Sequence, residues 1–369
     1  MEDDKKAREA NGIPALGEAI KSLILPKTHD EGYPPDYICA LLKSYLPNLE
    51  RLHVPRISRY RDEYGDEYDD PSLKDSLKEA VAQGCPKLQH LRCSWYEGDK
   101  MIPDVVNGIV EGCQEWGLKS FYCEDLDDHH DYILETLLEN HRETLEEVEL
   151  ANYRSFYDDK HVELLSCRNL KKVNIHRSST SYVAIELQEV KFGCRDLREL
   201  QLTLAMPYFD KEECGSGSDE DGDEDGDEDE DEDECFFRRL ARFRVCVDGW
   251  SKEAYTQIGS LSKLETLSLN YEECQRPLSF EYDLTLKHGW LRQLAGLKEL
   301  KHFHMAADFW SNMGQAEVKF MDAQWPKLKK IEFSCRDLNT IIKKPNWRWL
   351  QKRRPYLRYL QYRDPTHGP

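Results

Sequence analysis

One motif recurs through almost the whole chain: three apolar residues in the order apolar-x-x-apolar-x-apolar. Its copies begin at Ile20, Leu49, Leu88, Leu118, Leu145, Leu170, Leu197, Leu240, Leu264, Leu300, Leu328 and Leu357. That makes twelve copies whose first residues lie 24 to 43 apart. Between Leu88 and Leu197 the intervals tighten to 30, 27, 25 and 27 residues. The residues just ahead of the motif also recur, as Cys85-Pro86-Lys87-Leu88, Cys167-Arg168-Asn169-Leu170, Cys194-Arg195-Asp196-Leu197 and Trp325-Pro326-Lys327-Leu328. A chain built this way cannot bury each unit alone; its units must stack and share a core.

The second and third apolar residues of each copy are two apart, so on a strand they point to one side. The intervening stretches carry helical spacing, as in Leu73, Leu77, Ala80 and Val81, or Val105, Val106, Ile109 and Val110. Helix-then-strand units of this period predict an α/β leucine-rich-repeat solenoid, a horseshoe with a parallel concave sheet and outer helices. Val148, Leu150, Leu200, Leu202, Leu267 and Leu269 are then expected to be buried. The organisation reads as an N-terminal cap over 1–19, repeats over 20–213, a disordered acidic insertion over 214–235, and repeats with a C-terminal cap over 236–369.

In that register the alternate strand residues face outward on the concave sheet. The candidate partner-binding residues are therefore Arg51, His53, His90, Arg92, Tyr122, Glu147, Glu149, Lys172, His176, Arg242, Arg244, His302 and His304. An extended concave surface is how solenoids bind protein partners.

The formal net charge is -20, but Asp219 to Glu234 holds 14 acidic residues and two glycines. Removing that run leaves only -6. A nucleic-acid partner is not expected, because affinity for phosphate backbones comes from clustered Lys and Arg. Three roles fit the acidic run: a surface spacer, which is the preferred reading, a lure for basic proteins such as histones, or a shield for Arg238, Arg239, Arg242 and Arg244. The basic and aromatic C-terminal segment, from Lys343 to Tyr359, reads as a terminal cap with a polar outer face.

No membrane partner is expected, since no run of about 18 apolar residues exists, and no secretory signal is visible at Met1. The twelve cysteines then read as reduced thiols of a cytoplasmic or nuclear protein. The cluster Asp125 to Asp131 reads as capping for the following helix rather than as a metal site. Cysteine spacing gives no zinc pattern, and no phosphate-binding loop or nucleophile elbow appears. Catalytic residues, metals and cofactors are not expected, and the chain reads as no enzyme.

The Cys-x-x-Leu-x-x-Leu-x-Leu blocks at irregular spacing resemble the cysteine-containing repeats of F-box/leucine-rich-repeat proteins, especially the divergent fungal ones, over Ile20 to Tyr362. The resemblance implies substrate recognition in an F-box-like ubiquitin-ligase system, with a cullin-RING ligase adaptor as a second partner. Two features depart from it. The Asn that usually follows the last strand residue is replaced, by Tyr96, Tyr153 and Glu272 among others, and no F-box is recognisable in the 19 residues ahead of Ile20. The alternative is an acidic scaffold or histone-binding protein that acts through the Asp/Glu-rich run.

Overall fold

The structure is a computed structural model. It describes residues 19–25, 35–43, 46–54, 72–94, 102–124, 126, 131–153, 163–177, 191–204, 252–271, 284–286, 290–306, 313–334 and 338–361. Among these, eleven strands form one sheet in chain order. They are β1 (Ser22–Ile24), β2 (Arg51–Val54), β3 (His90–Ser94), β4 (Ser120–Glu124), β5 (Glu147–Tyr153), β6 (Lys172–Arg177), β7 (Glu199–Leu204), β8 (Thr266–Tyr271), β9 (His302–Ala306), β10 (Lys330–Ser334) and β11 (Arg358–Gln361). Every pairing is parallel. The helices are α1 (Pro35–Lys43), α2 (Ser72–Gly84), α3 (Ile102–Gly112), α4 (Asp131–His141), α5 (252–259), α6 (Trp290–Gln293), α7 (Gln315–Gln324), α8 (Leu338–Ile342) and α9 (Pro345–Arg353). This is the leucine-rich-repeat type of α/β solenoid.

The register aligns the apolar motif across the sheet. Leu52, Leu91, Phe121, Val148, Val173, Leu200, Leu267, Phe303 and Ile331 stand opposite one another in one row. Each is at most 2% exposed. Val54, Cys93, Cys123, Leu150, Ile175, Leu202 and Leu269 make a second row, equally buried. The helices cover these rows with their own apolar stripes, as α3 does with Val105, Val106, Ile109 and Val110. Close approach of neighbouring units leaves no room for side chains at several glycines, Gly84 and Gly259 among them. A Cβ at Gly84 would collide with the Leu42 carbonyl, and one at Gly259 with that of Gln293.

Two backbone hydrogen-bond systems repeat along the chain. In one, the first Leu of the motif donates its N–H to the carbonyl three residues earlier. Leu88 donates to Cys85 (3.1 Å), Leu197 to Cys194 (3.2 Å), Leu264 to Leu261 (2.9 Å) and Leu328 to Trp325 (3.2 Å). Any residue's carbonyl could close this tight turn; a large or sulfur-bearing apolar residue recurs there because its side chain is buried. In the other, two successive N–H groups share one carbonyl of the preceding unit. Glu50 and Arg51 both donate to Lys21, Gln89 and His90 to Glu50, Lys119 and Ser120 to Gln89, and Glu146 and Glu147 to Lys119. The series continues through Glu146, Lys171, Arg198, Glu265 and Lys301 as acceptors.

The seven described cysteines are free and buried. Burial pushes the Cys85 and Cys194 thiols up to about 12 and the Cys167 thiol up to about 11. His141 is also fully buried. Its Nδ1 accepts from the Leu118 N–H (3.2 Å) and its Nε2 donates to the Val110 carbonyl (2.9 Å), which ties α3 and α4 to the turn.

One repeat copy lies outside the described residues, and another differs from the sequence reading. The copy at Leu240, Phe243 and Val245 lies outside the described residues, and β7 pairs directly with β8, Glu199 opposite Thr266. In the last copy the strand starts one residue early. Tyr359, not Leu360, stands opposite the inward Ile331, and Leu360 is 37% exposed. The physical reason is aromatic packing. The Tyr359 ring meets Phe333 at 5.8 Å and Trp347 at 6.1 Å, and its hydroxyl donates to the Trp347 carbonyl at 3.1 Å. At the same end of the chain Trp347 is fully buried, and the buried Arg354 pairs with Asp322 (2.6 Å) and the Trp325 carbonyl (2.7 Å). The acidic insertion lies outside the described residues.

The register makes a direct prediction. Leu267→Ala should cost roughly 2–5 kcal/mol in urea unfolding, while Leu360→Ala should change stability by less than about 0.5 kcal/mol. Equal costs at the two positions would place the last strand in the register read from the sequence.

Candidate protein-binding face

The side of the sheet away from the helices carries the alternate residues. One row runs Ser22, Arg51, His90, Ser120, Glu147, Lys172, Glu199, Thr266, His302 and Lys330. The next runs Ile24, His53, Arg92, Tyr122, Glu149, Asn174, Gln201, Ser268, His304 and Glu332 in the same pairings. Over β1 to β6 these residues line a concavity of about 300 Å³, floored by Leu91, Phe121 and Val148.

Over β2 to β5 the charge on this face is segregated. Arg51, His53, His90 and Arg92 sit together on β2 and β3. Glu124, Glu147 and Glu149 follow on β4 and β5. The Arg92 guanidinium lies 3.9 Å from the centre of the Tyr122 ring, a cation–π contact that fixes its direction. His53 is held below its ordinary pKa by burial first and by Arg92 second. His90 is lowered by burial and then by Arg51, with Glu147 pulling the other way. Both imidazoles therefore stay neutral near pH 7.

Beyond β5 the carboxylates meet partners. Lys172 pairs with Glu149 at 3.4 Å and with Glu199 at 3.7 Å, and Asn174 Nδ2 donates to Glu199 at 3.1 Å. On β9 and β10, His302 bonds to Glu332 at 2.9 Å and Lys330 pairs with the same carboxylate at 3.0 Å. The His302 hydrogen bond is the main cause that holds the Glu332 carboxyl down to about 2.

The expected site residues are thus distributed unequally. Arg51, His53, His90, Arg92, Tyr122, Glu147, Glu149 and Lys172 are brought together around one concavity. His302 lies on the same face, several strands away. His304 departs from the expectation: it is 2% exposed and bonds the Ser268 hydroxyl at 2.5 Å, so it joins two strands instead of meeting a partner. His176 continues β6, but its side chain lies outside the described residues, as do Arg242 and Arg244 entirely. The sequence reading passed over Ile24, which is 66% exposed at the rim of the concavity. The signal was present, because Ile24 stands between the inward residues Leu23 and Leu25 and must face outward.

Among the described residues no three His, Cys, Asp or Glu side chains converge as a metal site would require. No family model and no curated protein matches the chain. Solved structures similar to it include the leucine-rich repeat-containing protein LegL7 from Legionella pneumophila, at 12% identity and a TM-score of 0.33, over 92% of this chain and 91% of that one. The Rad7 and Elc1 complex in yeast is similar at 13% identity and a TM-score of 0.35, over 97% and 90%.

The basic field over β2 and β3 can be measured directly. NMR titration should find His53 below its ordinary value of 6.5, and Arg92→Gln should move it upward by removing the charge that opposes protonation. An unchanged His53 in that variant would mean that burial alone sets its pKa.

Proposed function

We propose that this protein is a non-enzymatic interaction module whose concave sheet face docks a protein partner, as the substrate-recognition part of an F-box-like ubiquitin-ligase system. The observation that carries this reading is the concavity over β1 to β6, where eight of the expected residues converge on a rigid parallel sheet. Polar side chains on a framework that does not itself need them for packing are available for recognition. The ligase assignment rests on the Cys-x-x-Leu blocks and brings a cullin-RING adaptor as the second partner. We place the protein in the cytoplasm or nucleus, where its thiols stay reduced. In this reading residues 1–19 cap the repeats and 214–235 are an acidic insertion within them.

A second reading draws on Asp219 to Glu234 alone: an acidic scaffold that holds basic proteins such as histones. Deleting Gly215 to Glu234 separates the two, since it removes affinity for basic proteins only if that run is the binding element.

Photo-crosslinking tests the docking face. A benzophenone side chain in place of Tyr122 should form adducts with a discrete partner in cells, whereas one at Glu79, exposed on α2, should not. Recovery of a cullin adaptor with the same chain supports the ligase role. Adducts that form equally from both positions, or only from Glu79, would remove the concave face from the function.

A further inference from the structure

In most units the residue just ahead of the first Leu of the motif is polar and reaches back to the unit before it. Lys87 donates to Asn48 at 2.6 Å, and Asn169 donates to the Glu143 carbonyl at 2.6 Å. Lys263 pairs with Asp196, and Lys327 pairs with Glu299 at 2.5 Å. The last unit closes the same turn, its Leu357 N–H donating to the Arg354 carbonyl at 3.0 Å. There, however, the corresponding residue is Tyr356. It is 58% exposed and makes no hydrogen bond or ring contact among the described residues.

The cations around this tyrosine are unbalanced as well. Leu338 to Gln361 holds seven Lys and Arg and no Asp or Glu, which leaves -27 on the rest of a chain whose net charge is -20. Arg354 is buried against Asp322, and Arg353 shares that carboxylate at 3.3 Å. Lys352, in the last turn of α9, and Arg358, at the start of β11, are exposed and have no carboxylate partner among the described residues. Lys329 joins them from the neighbouring unit. It too is exposed and without a carboxylate there, and its carbonyl accepts the Arg358 N–H at 2.9 Å. A terminal cap needs a polar outer face, but it needs neither cations alone nor an exposed aromatic ring among them.

A partner for this end has to offer negative charge at several points and a flat surface for the ring. An acidic peptide offers only the charge. An anionic membrane surface calls for a broader apolar face than Tyr356 and the 37% exposed Leu360 provide. A nucleic-acid duplex keeps its bases stacked on one another. A single strand offers both features, since its bases stack on aromatic side chains while its phosphates meet Lys and Arg. We infer that the terminal unit binds single-stranded nucleic acid, with a base on Tyr356 and the flanking phosphates on Lys329, Lys352 and Arg358. The acidic balance of the rest of the chain, which opposes nucleic-acid binding elsewhere, confines the strand to this end. The site is separate from the concavity over β1 to β6 and does not depend on what docks there.

The test uses the full-length chain and fluorescence anisotropy with labelled RNA and DNA strands of about 12 nucleotides and one mixed sequence. Binding of either strand supports the inference and identifies the source. Three phosphate contacts predict that affinity falls roughly twentyfold between about 50 and 200 mM salt. Tyr356→Ala should weaken binding roughly tenfold and leave the salt dependence unchanged, whereas Tyr356→Phe should bind as the unaltered chain does. Lys352→Gln combined with Arg358→Gln should instead flatten the salt dependence to roughly threefold over the same range. Thermal unfolding should stay the same in all three variants, because the side chains are exposed. Absence of binding by both strands, equal binding by Tyr356→Ala, or a duplex that binds as tightly as the single strand would overturn the inference. So would tighter binding of an acidic peptide, such as Asp219 to Glu234, or of vesicles of anionic lipid.

Discussion

The structure depends on one backbone arrangement: a carbonyl at the entry to each strand that accepts two N–H groups from the next unit. A buried peptide group without a partner costs about as much as a lost hydrogen bond, so each unit must present this carbonyl where the next one needs it. The condition is met at successive steps from Lys21 to Lys301, regardless of side chain. It tolerates intervals of 25 to 67 residues between the copies that pair in the sheet because only the turn and strand entry have to match. The variable segments leave from elsewhere. Loop closure grows only logarithmically with length, which is why β8 can follow β7 directly in the sheet despite the long intervening chain.

Side chains of the same residues reinforce the register at the rim. Glu146 meets Lys171 at 2.5 Å, Glu265 meets Lys301 at 2.6 Å and Lys21 meets Glu50 at 3.6 Å. These pairs are about a third or more exposed, so each adds little stability. The concave face follows a different logic. Among the described residues Arg51 and Arg92 on β2 and β3 have no carboxylate partner, whereas the charges over β9 and β10 are satisfied within the sheet by the His302, Lys330 and Glu332 group. The same scaffold thus closes one end of its face and leaves the other open to a partner.

Much of this was legible in the sequence, because the period-two strand and the apolar triplet are both fixed by geometry. Leu200 and Leu267 are buried where alternation puts them. Tyr359 was not legible. Leu357 and Leu360 satisfy the same spacing as every other copy, and only the aromatic packing of Tyr359 against Phe333 and Trp347 decides the register. His304 was misjudged for a related reason: alternation gives the face on which a side chain stands but not whether a neighbour such as Ser268 closes over it. Arg51, His53, His90 and Arg92 could be placed on one face from the sequence, but their convergence required knowing that β2 pairs with β3 across 39 residues between Leu49 and Leu88.

The most direct measurement is native-state amide hydrogen exchange. If the shared-carbonyl ladder is the element that holds the units together, the N–H groups of Arg51, His90, Ser120, Glu147, Lys172 and Glu199 should be protected as strongly as those within the strands. Glu265 and Thr266, whose N–H groups both reach the Arg198 carbonyl (2.8 and 2.9 Å), should be protected to the same degree as Glu199. Exchange of Glu265 and Thr266 at the rate of an open loop, with the earlier entries protected, would contradict a single continuous ladder across β7 and β8.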